Sequence, residues 1–247
     1  IQMLLNQFFK KLNTKRKSLS ATKKTPNFYL TKLKDPQLGK LYKLFSNNLT
    51  SLDLSNKKIM VGVSGGADSL AVLFFSQCYA LKHHAKLYPV IIDHKLRKES
   101  TIEAKNLKYK LKQNFKINCK ILSKKIVKIN KNIQSYARDL RYDLFFEECN
   151  KQKIDHLILG HHKDDLIENF FIRFLRGSGL KGLVSFNKNV IIYNGINVIR
   201  PFLSTSKKDL LKINKKTFGF FIDDPTNNDD NFLRLSLIHI SEPTRHC

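Results

Sequence analysis

From residue 57 onward, short apolar runs rich in β-branched residues alternate with segments of helical periodicity. Four runs predict buried strands, at residues 59–63, 87–93, 117–122 and 157–160. Apolar residues between them fall on one helical face, from Ala104 to Phe115 and from Ile133 to Leu144. This alternation predicts an α/β fold, a Rossmann-like three-layer α/β/α domain with a mostly parallel sheet. Ligands of such sheets bind beyond the carboxyl ends of the strands, so function is expected there.

A glycine turn follows the first predicted strand directly and leads into an apolar helix. It comprises Ser64, Gly65, Gly66, Ala67, Asp68 and Ser69. The glycines let the backbone approach a ligand, the serines add hydroxyl groups, and the helix dipole favours phosphate. Asp68 would repel phosphates unless a divalent cation bridged them, so it indicates Mg²⁺. An ordinary βα turn with a serine cap explains two glycines, but not the whole hexapeptide.

A polar trio follows the fourth predicted strand. His161, Asp165 and Glu168 are spaced i, i+4 and i+7, which predicts one helical face directed at the same crevice as Asp68. Such a trio could bind zinc, but one histidine with two carboxylates beside a phosphate loop suits Mg²⁺ and polar substrate contacts better.

Two further polar pairs are, by themselves, only weak evidence for a functional site. Asp93 and His94 end the second predicted strand and could simply cap it and the following helix. Arg138 and Arg141 lie three residues apart on one predicted helix, where arginines are often only solvated.

The motifs together resemble a known family. The hexapeptide is neither a Walker A sequence nor a dinucleotide fingerprint, and it resembles the PP-loop of the ATP pyrophosphatases. Further segments resemble the tRNA(Ile)-lysidine synthetase family in the same order. These are residues 90–100, 134–143, 160–169, 173–183, 199–203 and 223–234. The resemblance covers about residues 57–234 and implies a PP-loop, adenine nucleotide alpha hydrolase-like fold.

The resemblance also implies a reaction. The family uses ATP to adenylate the wobble cytidine of the CAU-anticodon isoleucine tRNA, releases pyrophosphate, and lets the ε-amino group of lysine displace AMP. It implies that residues 64–69 bind ATP, that Asp68 and Asp165 bind Mg²⁺, and that Asp68, His161, Asp165 and Glu168 are catalytic. It implies RNA or substrate contacts for Arg138, Arg141, Arg200, Asp224, Asn227 and Arg234.

The charge is uneven along the chain. With 45 Lys and Arg against 20 Asp and Glu, the net charge of +25 predicts an acidic partner such as tRNA. Residues 1–56 form a basic leader and extension, and residues 57–234 form the catalytic domain. Residues 235–247 resemble a translated sequencing adaptor, and we expect them to replace missing C-terminal tRNA-binding domains.

The composition of the chain limits the cellular locations and partners that we expect for the protein. No apolar run approaches the roughly 18 residues that span a bilayer, and the four cysteines form no Cys-x-x-Cys pair. We therefore expect no membrane partner and a reducing, cytoplasmic location, and we count a homodimer among the possible assemblies. The alternative functions are a PP-loop tRNA thiolase, against which the missing cysteine pair argues, and a non-catalytic RNA-binding protein, which leaves the phosphate loop unexplained.

Overall fold

The computed structural model describes residues 26–50, 52–95, 99–124, 133–175 and 189–222. The helices of these ranges are α1 Pro26–Lys32, α2 Pro36–Thr50, α3 Ala67–His83, α4 Ser100–Phe115, α5 Ile133–Gln152, α6 Lys163–Leu175 and α7 Lys207–Lys216. The strands are β1 Lys58–Gly62, β2 Lys86–Asp93, β3 Lys120–Ser123, β4 His156–Ile158, β5 Val190–Tyr193 and β6 Ile196–Ile199.

The strands form one sheet in the order β3-β2-β1-β4-β6-β5. Neighbouring strands are parallel except for the edge strand β5, which pairs antiparallel with β6. The predicted mostly parallel sheet is therefore confirmed. The third strand starts later than predicted, because Ile117 and Cys119 are buried in the turn after α4 rather than paired in the ladder.

Both faces of the sheet are covered. In β1 the alternation of side chains sends Ile59 and Val61 into one core and Met60 into the other. The first core contains the buried faces of α3, α4 and α7, and the second is closed by Phe145 and Phe146 of α5. The predicted three-layer α/β/α arrangement is confirmed.

Helices α1 and α2 belong to the first core although they precede the predicted catalytic domain. Phe45 of α2 is fully buried, with its ring centroid 5.6 Å from that of Phe75 and 5.4 Å from that of Phe202. The Asn48 side-chain amide donates a hydrogen bond to the Pro201 carbonyl at 2.8 Å. The division of the chain after residue 56 stays a prediction, and residues 1–25 and 235–247 lie outside the described ranges.

None of the helices in the described ranges is long and apolar enough to cross a membrane.

The packing of α2 predicts that it stabilises the whole domain. Replacing Phe45 by Ala should lower the free energy of unfolding by about 3–5 kcal/mol, because the side chain leaves a cavity between two aromatic rings. Leu44→Ala, at a side chain that is 44% exposed, is the matched control and should cost about 0.5 kcal/mol or less. Denaturant unfolding measures both, and equal small losses would show that α2 is only loosely attached.

Candidate active site

A cavity of about 300 Å³ opens at the carboxyl ends of the central strands. The chain passes from β1 to β2 on one side and returns to β4 on the other, so the strand order reverses beside β1. The loops after β1 and β4 and the end of β2 border the cavity, together with α4 and α5. Residues predicted from three separate segments therefore meet here, namely Ser64, Asp68, Ser69, Arg138, Arg141 and His161.

The predicted phosphate loop is held in shape by Ser69. Its hydroxyl oxygen accepts hydrogen bonds from the backbone N–H groups of Ser64 and Gly65, at 3.1 and 3.2 Å, and donates to the Gly66 carbonyl at 3.0 Å. No side chain in the described part of the chain caps the start of α3. The first N–H groups of a helix have no partner within it, so they offer donors for an anion at this point.

Gly65 has a backbone conformation that favours glycine, and it contacts the side chain of Ile222. Its φ is +91°, and a Cβ atom here would lie 2.8 Å from Cδ1 of Ile222. Ile222 also donates a backbone hydrogen bond to the Gly65 carbonyl at 3.0 Å and lines the cavity. The segment after α7 thus supports the phosphate loop, a contact that the sequence pattern did not reveal.

Gly160 lets the loop after β4 approach the start of α3. A Cβ atom on Gly160 would lie 3.1 Å from the backbone nitrogen and Cα of Ser69. This close approach places the residues that follow Gly160 beside Asp68.

His162 is surrounded by carboxylates. Its Nε2 atom lies 3.5 Å from Oδ2 of Asp68 and 3.6 Å from Oδ2 of Asp165, and its Nδ1 atom lies 3.7 Å from Oδ2 of Asp164. Burial opposes protonation of the ring, but the hydrogen bond to Asp68 and the charges of Asp165 and Asp164 outweigh it, so the pKa of His162 is raised. Sequence reasoning missed this residue.

The prediction that His161, Asp165 and Glu168 share one helical face is wrong for His161. Helix α6 begins at Lys163, and the Asp165 carboxylate accepts a hydrogen bond from the His162 backbone N–H at 2.9 Å at its start. His161 lies in the preceding segment, next to an isolated bridge between His162 and Phe202. Neighbouring side chains of an extended segment point in opposite directions, so His161 lines the cavity while His162 contacts Asp68.

The carboxylates of the trio lie to one side of the cavity. The carboxylates of Asp165 and Asp68 both lie close to Nε2 of His162, and Glu168 is half-buried on α6. The cavity lining contains neither of these two residues.

The part of the cavity lining that α5 contributes is basic. Nε of Arg141 donates a hydrogen bond to Nε2 of His94 at 3.2 Å, and the Arg138 guanidinium lies 5.8 Å from the centre of the Tyr142 ring. Burial lowers the pKa of His94 to about 4, and the charge of Arg141 adds to the effect. Burial also lowers the pKa of His161 to about 3, with further lowering by the charges of Arg138, Arg200 and Arg141. Both rings are therefore neutral at pH 7.

Arg200 and Asp93 support this wall from within the protein. Arg200 follows β6, is only 2% exposed, and acts on His161 through its charge rather than from the surface. Asp93 accepts hydrogen bonds from the Ser100 and Thr101 hydroxyls, at 2.8 and 2.6 Å, and from the Lys95 backbone N–H at 3.0 Å. Asp93 thus links the end of β2 to the first turn of α4 through side-chain hydroxyls, and the interpretation of Asp93 as a helix cap stays a prediction.

Several predicted residues cannot be placed. Asp224, Asn227 and Arg234, and the segments 96–98 and 176–183, lie outside the described residues.

The fold and the site together define a class of protein. A parallel sheet with a glycine loop, an uncapped helix start and an adjacent carboxylate is typical of nucleotide-binding α/β domains. The family model of the PP-loop domain matches residues 36–240, and the chain belongs to this family.

Curated relatives carry a more specific name. The tRNA(Ile)-lysidine synthase of Orientia tsutsugamushi (strain Boryong) is 41% identical over 179 residues, which cover 72% of this chain and 40% of that protein. The tRNA(Ile)-lysidine synthase of Rickettsia rickettsii (strain Sheila Smith) is 35% identical over 200 residues, covering 78% of this chain and 40% of that protein. The chain therefore spans about two fifths of the length of these relatives.

Among solved structures, the U34-tRNA thiolase NcsA from Methanococcus maripaludis, with its 4Fe–4S cluster, superposes with a TM-score of 0.70. The superposition covers 84% of this chain and 72% of that chain at 19% sequence identity. At this level of identity the likeness shows the fold alone.

The hydrogen bonds accepted by the Asp93 carboxylate predict a pH-dependent stability. Burial raises the pKa of its carboxyl, but the hydrogen bonds from Thr101, Ser100 and Lys95 outweigh burial and lower it overall. The stabilisation is therefore present above the unfolded-state pKa of about 4 and is lost as the pH falls through the lower folded-state value. Asp93→Asn should cost about 1–3 kcal/mol at pH 7 and much less under acid conditions.

Denaturant unfolding at several pH values measures this difference, with the exposed Asp139→Asn as control. A loss for Asp93→Asn that is the same at every pH would show that the charge of the Asp93 carboxylate does not contribute to stability.

Proposed function

We propose that this chain is the adenylating part of a tRNA(Ile)-lysidine synthase. In this reaction ATP activates the wobble cytidine of the CAU-anticodon isoleucine tRNA, pyrophosphate leaves, and the ε-amino group of lysine then displaces AMP. The observation that carries the proposal is that one cavity combines the phosphate loop, Asp68 and a wall of two arginines. The similarity to the lysidine synthases of Orientia and Rickettsia supports this reaction over others of the PP-loop family.

The phosphate groups of ATP would bind at residues 64–69. The N–H groups at the start of α3 would donate hydrogen bonds to them, and the helix dipole would favour their charge. Arg138 and Arg141 face the same space and would stabilise negative charge that develops on the reacting phosphate, or bind a phosphate of the RNA.

His161 would orient the substrate through its neutral ring rather than act as an acid. Its low pKa leaves the ring neutral, with a lone pair that can accept a hydrogen bond from an amine. Phosphates that enter the cavity would offset the arginine charges, and this would make the ring more basic.

The donor groups fit Mg²⁺ at Asp68 and Asp165. Oδ1 of Asp68 is buried without a hydrogen-bond partner among the described residues, and both carboxylates approach the same ring nitrogen of His162. The described residues hold no ready cluster of three metal-binding side chains. Mg²⁺ usually takes one or two carboxylates and completes its shell with phosphates and water. When bound, the ion would neutralise phosphate charge next to Asp68.

Partners and location belong to the same proposal. The net charge of +25 supports RNA binding with strong salt dependence, although charge does not select one tRNA. Lysine is the proposed amine substrate. A cytoplasmic location and a homodimer are kept as predictions.

The alternative functions are less well supported. For a thiolase, reactive cysteines would be needed at the cavity, but the three cysteines of the described ranges, Cys78, Cys119 and Cys149, are buried elsewhere. Burial raises the pKa of Cys119 and of Cys149 to about 12, which disfavours the reactive thiolate. A protein that only binds RNA would not need a phosphate loop that opens into a cavity beside Asp68.

Loss of the Asp68 carboxylate should abolish the chemistry. We expect Asp68→Asn to lower tRNA-dependent release of AMP and pyrophosphate by about 100-fold or more, because the carboxylate acts where phosphate charge changes. Radiolabelled ATP and lysine, incubated with CAU-anticodon tRNA, measure the release and the transfer of lysine.

Asp155→Asn removes one exposed carboxylate just before the amino end of β4 and is the matched control. Full activity of Asp68→Asn would refute the assignment. Release of AMP by the unaltered chain without transfer of lysine would indicate a different PP-loop enzyme.

A further inference from the structure

The outer side of α4 carries large side chains that the fold does not bury. Ile102 is 61% exposed and Tyr109 is 64% exposed, and about two helical turns separate them, so they lie on the same side of the helix. The buried stripe of α4, from Ala104 to Phe115, faces the core on the opposite side. Single exposed apolar residues are common on protein surfaces, but here two are aligned.

Exposed lysines flank these two side chains. Lys105 and Lys112 belong to α4, and Lys116 directly follows it. Among the described residues, none of these three lysines forms an ion pair. Other lysines of the described surface pair with carboxylates, namely Lys120, Lys124, Lys212 and Lys216. We call Ile102, Lys105, Tyr109, Lys112 and Lys116 the α4 face.

The stability of the helix does not explain the charge of the α4 face. Lys108 and Lys112 are four residues apart, and like charges at this spacing destabilise a helix. After Glu103 the helix contains no acidic residue that could offset its lysines. The helix dipole favours a cation in the last turn, where Lys112 lies, but not in the second turn, where Lys105 lies. A partner of opposite charge would remove the repulsion.

The α4 face starts next to the active-site cavity. The first two turns of α4 line the cavity with Ser100, Ala104 and Leu107, and the α4 face begins on the outer side of the same turns. Lys105 and Lys112 are about 10 Å apart along the helix axis, so they can contact different phosphates of one polynucleotide chain. In the proposed reaction one nucleotide of the RNA enters the cavity, and the rest of the RNA lies outside it.

We propose that the α4 face binds the tRNA outside the cavity. Lys105, Lys112 and Lys116 contact backbone phosphates, and Tyr109 packs against a base or a ribose. Exposed aromatic side chains among basic residues bind single-stranded nucleic acids in this way. The inference rests on the proposed function for the identity of the RNA, and it extends that function from the cavity to a surface.

The test is binding of a fluorescently labelled stem–loop RNA with the CAU anticodon to the 247-residue chain, measured by anisotropy at several salt concentrations. The double variant Lys105→Gln and Lys112→Gln removes two charges from the α4 face, and Tyr109→Ala and Tyr109→Phe test the aromatic ring. The double variant Lys57→Gln and Lys153→Gln is the matched control, because these exposed lysines precede β1 and β4 at the end of the sheet opposite to the cavity.

We expect the Lys105 and Lys112 double variant to weaken RNA binding by about tenfold or more. It should also lower the slope of log affinity against log salt concentration by about two, because fewer counterions are released. Tyr109→Ala should weaken binding by about fivefold or more at an unchanged slope, and Tyr109→Phe should bind normally. The control variant should keep both affinity and slope. Circular dichroism and affinity for a non-hydrolysable ATP analogue should be the same in all variants, since every replaced side chain is exposed.

Three results would overturn the inference. The first is RNA binding by the α4 variants that equals that of the unaltered chain, or no RNA binding by the unaltered chain. The second is an equal loss in the control variant, which would show that binding follows net charge rather than the α4 face. The third is a change from dimer to monomer in the α4 variants at unchanged RNA affinity, which would assign the face to a contact between copies of the chain.

The proposed function is tested separately from the α4 face. Release of AMP with transfer of lysine by the unaltered chain would uphold the reaction even if the α4 variants bind RNA normally. RNA binding that depends on the α4 face, without any release of AMP, would reject the reaction and leave the surface in place.

Discussion

The contact between Gly160 and the start of α3 brings the two halves of the site together. At the point where the strand order reverses, the backbone after β4 lies so close to Ser69 that a Cβ atom at position 160 would contact the helix backbone at 3.1 Å. On one side of this contact is the phosphate loop. On the other are His161 and His162, whose side chains take opposite directions. A larger residue at position 160 would require the loop after β4 or the start of α3 to shift by a few tenths of an ångström, and this shift would disturb the contact between Asp68 and His162.

That contact also separates two electrostatic environments. Asp68, Asp164 and Asp165 raise the pKa of His162, whereas burial together with three arginines lowers the pKa of His161, the adjacent residue. The acidic side suits a divalent cation, and the basic side suits phosphate or RNA. Asp68 belongs to the acidic side and also lines the cavity with Arg138 and Arg141, so the two environments meet there.

Much of the fold follows from local patterns. The strands, the phosphate loop and the buried face of α4 depend on periodicity and turn chemistry, which a single sequence displays. The roles of the two histidines do not, because they depend on whether the helix begins at residue 161 or at Lys163. Arg200, which is interior, and Ile222, which supports Gly65, depend on tertiary packing between distant segments. The same holds for Phe45, whose burial joins α2 to the domain.

The position of the nucleotide is tested most directly by a crystal structure of the chain with a non-hydrolysable ATP analogue and Mg²⁺. We expect phosphates at residues 64–69, with the ion bound by Asp68 and Asp165 and with Arg138 and Arg141 facing the nucleotide. A nucleotide bound outside this cavity, or phosphates that contact neither the loop nor the start of α3, would contradict it.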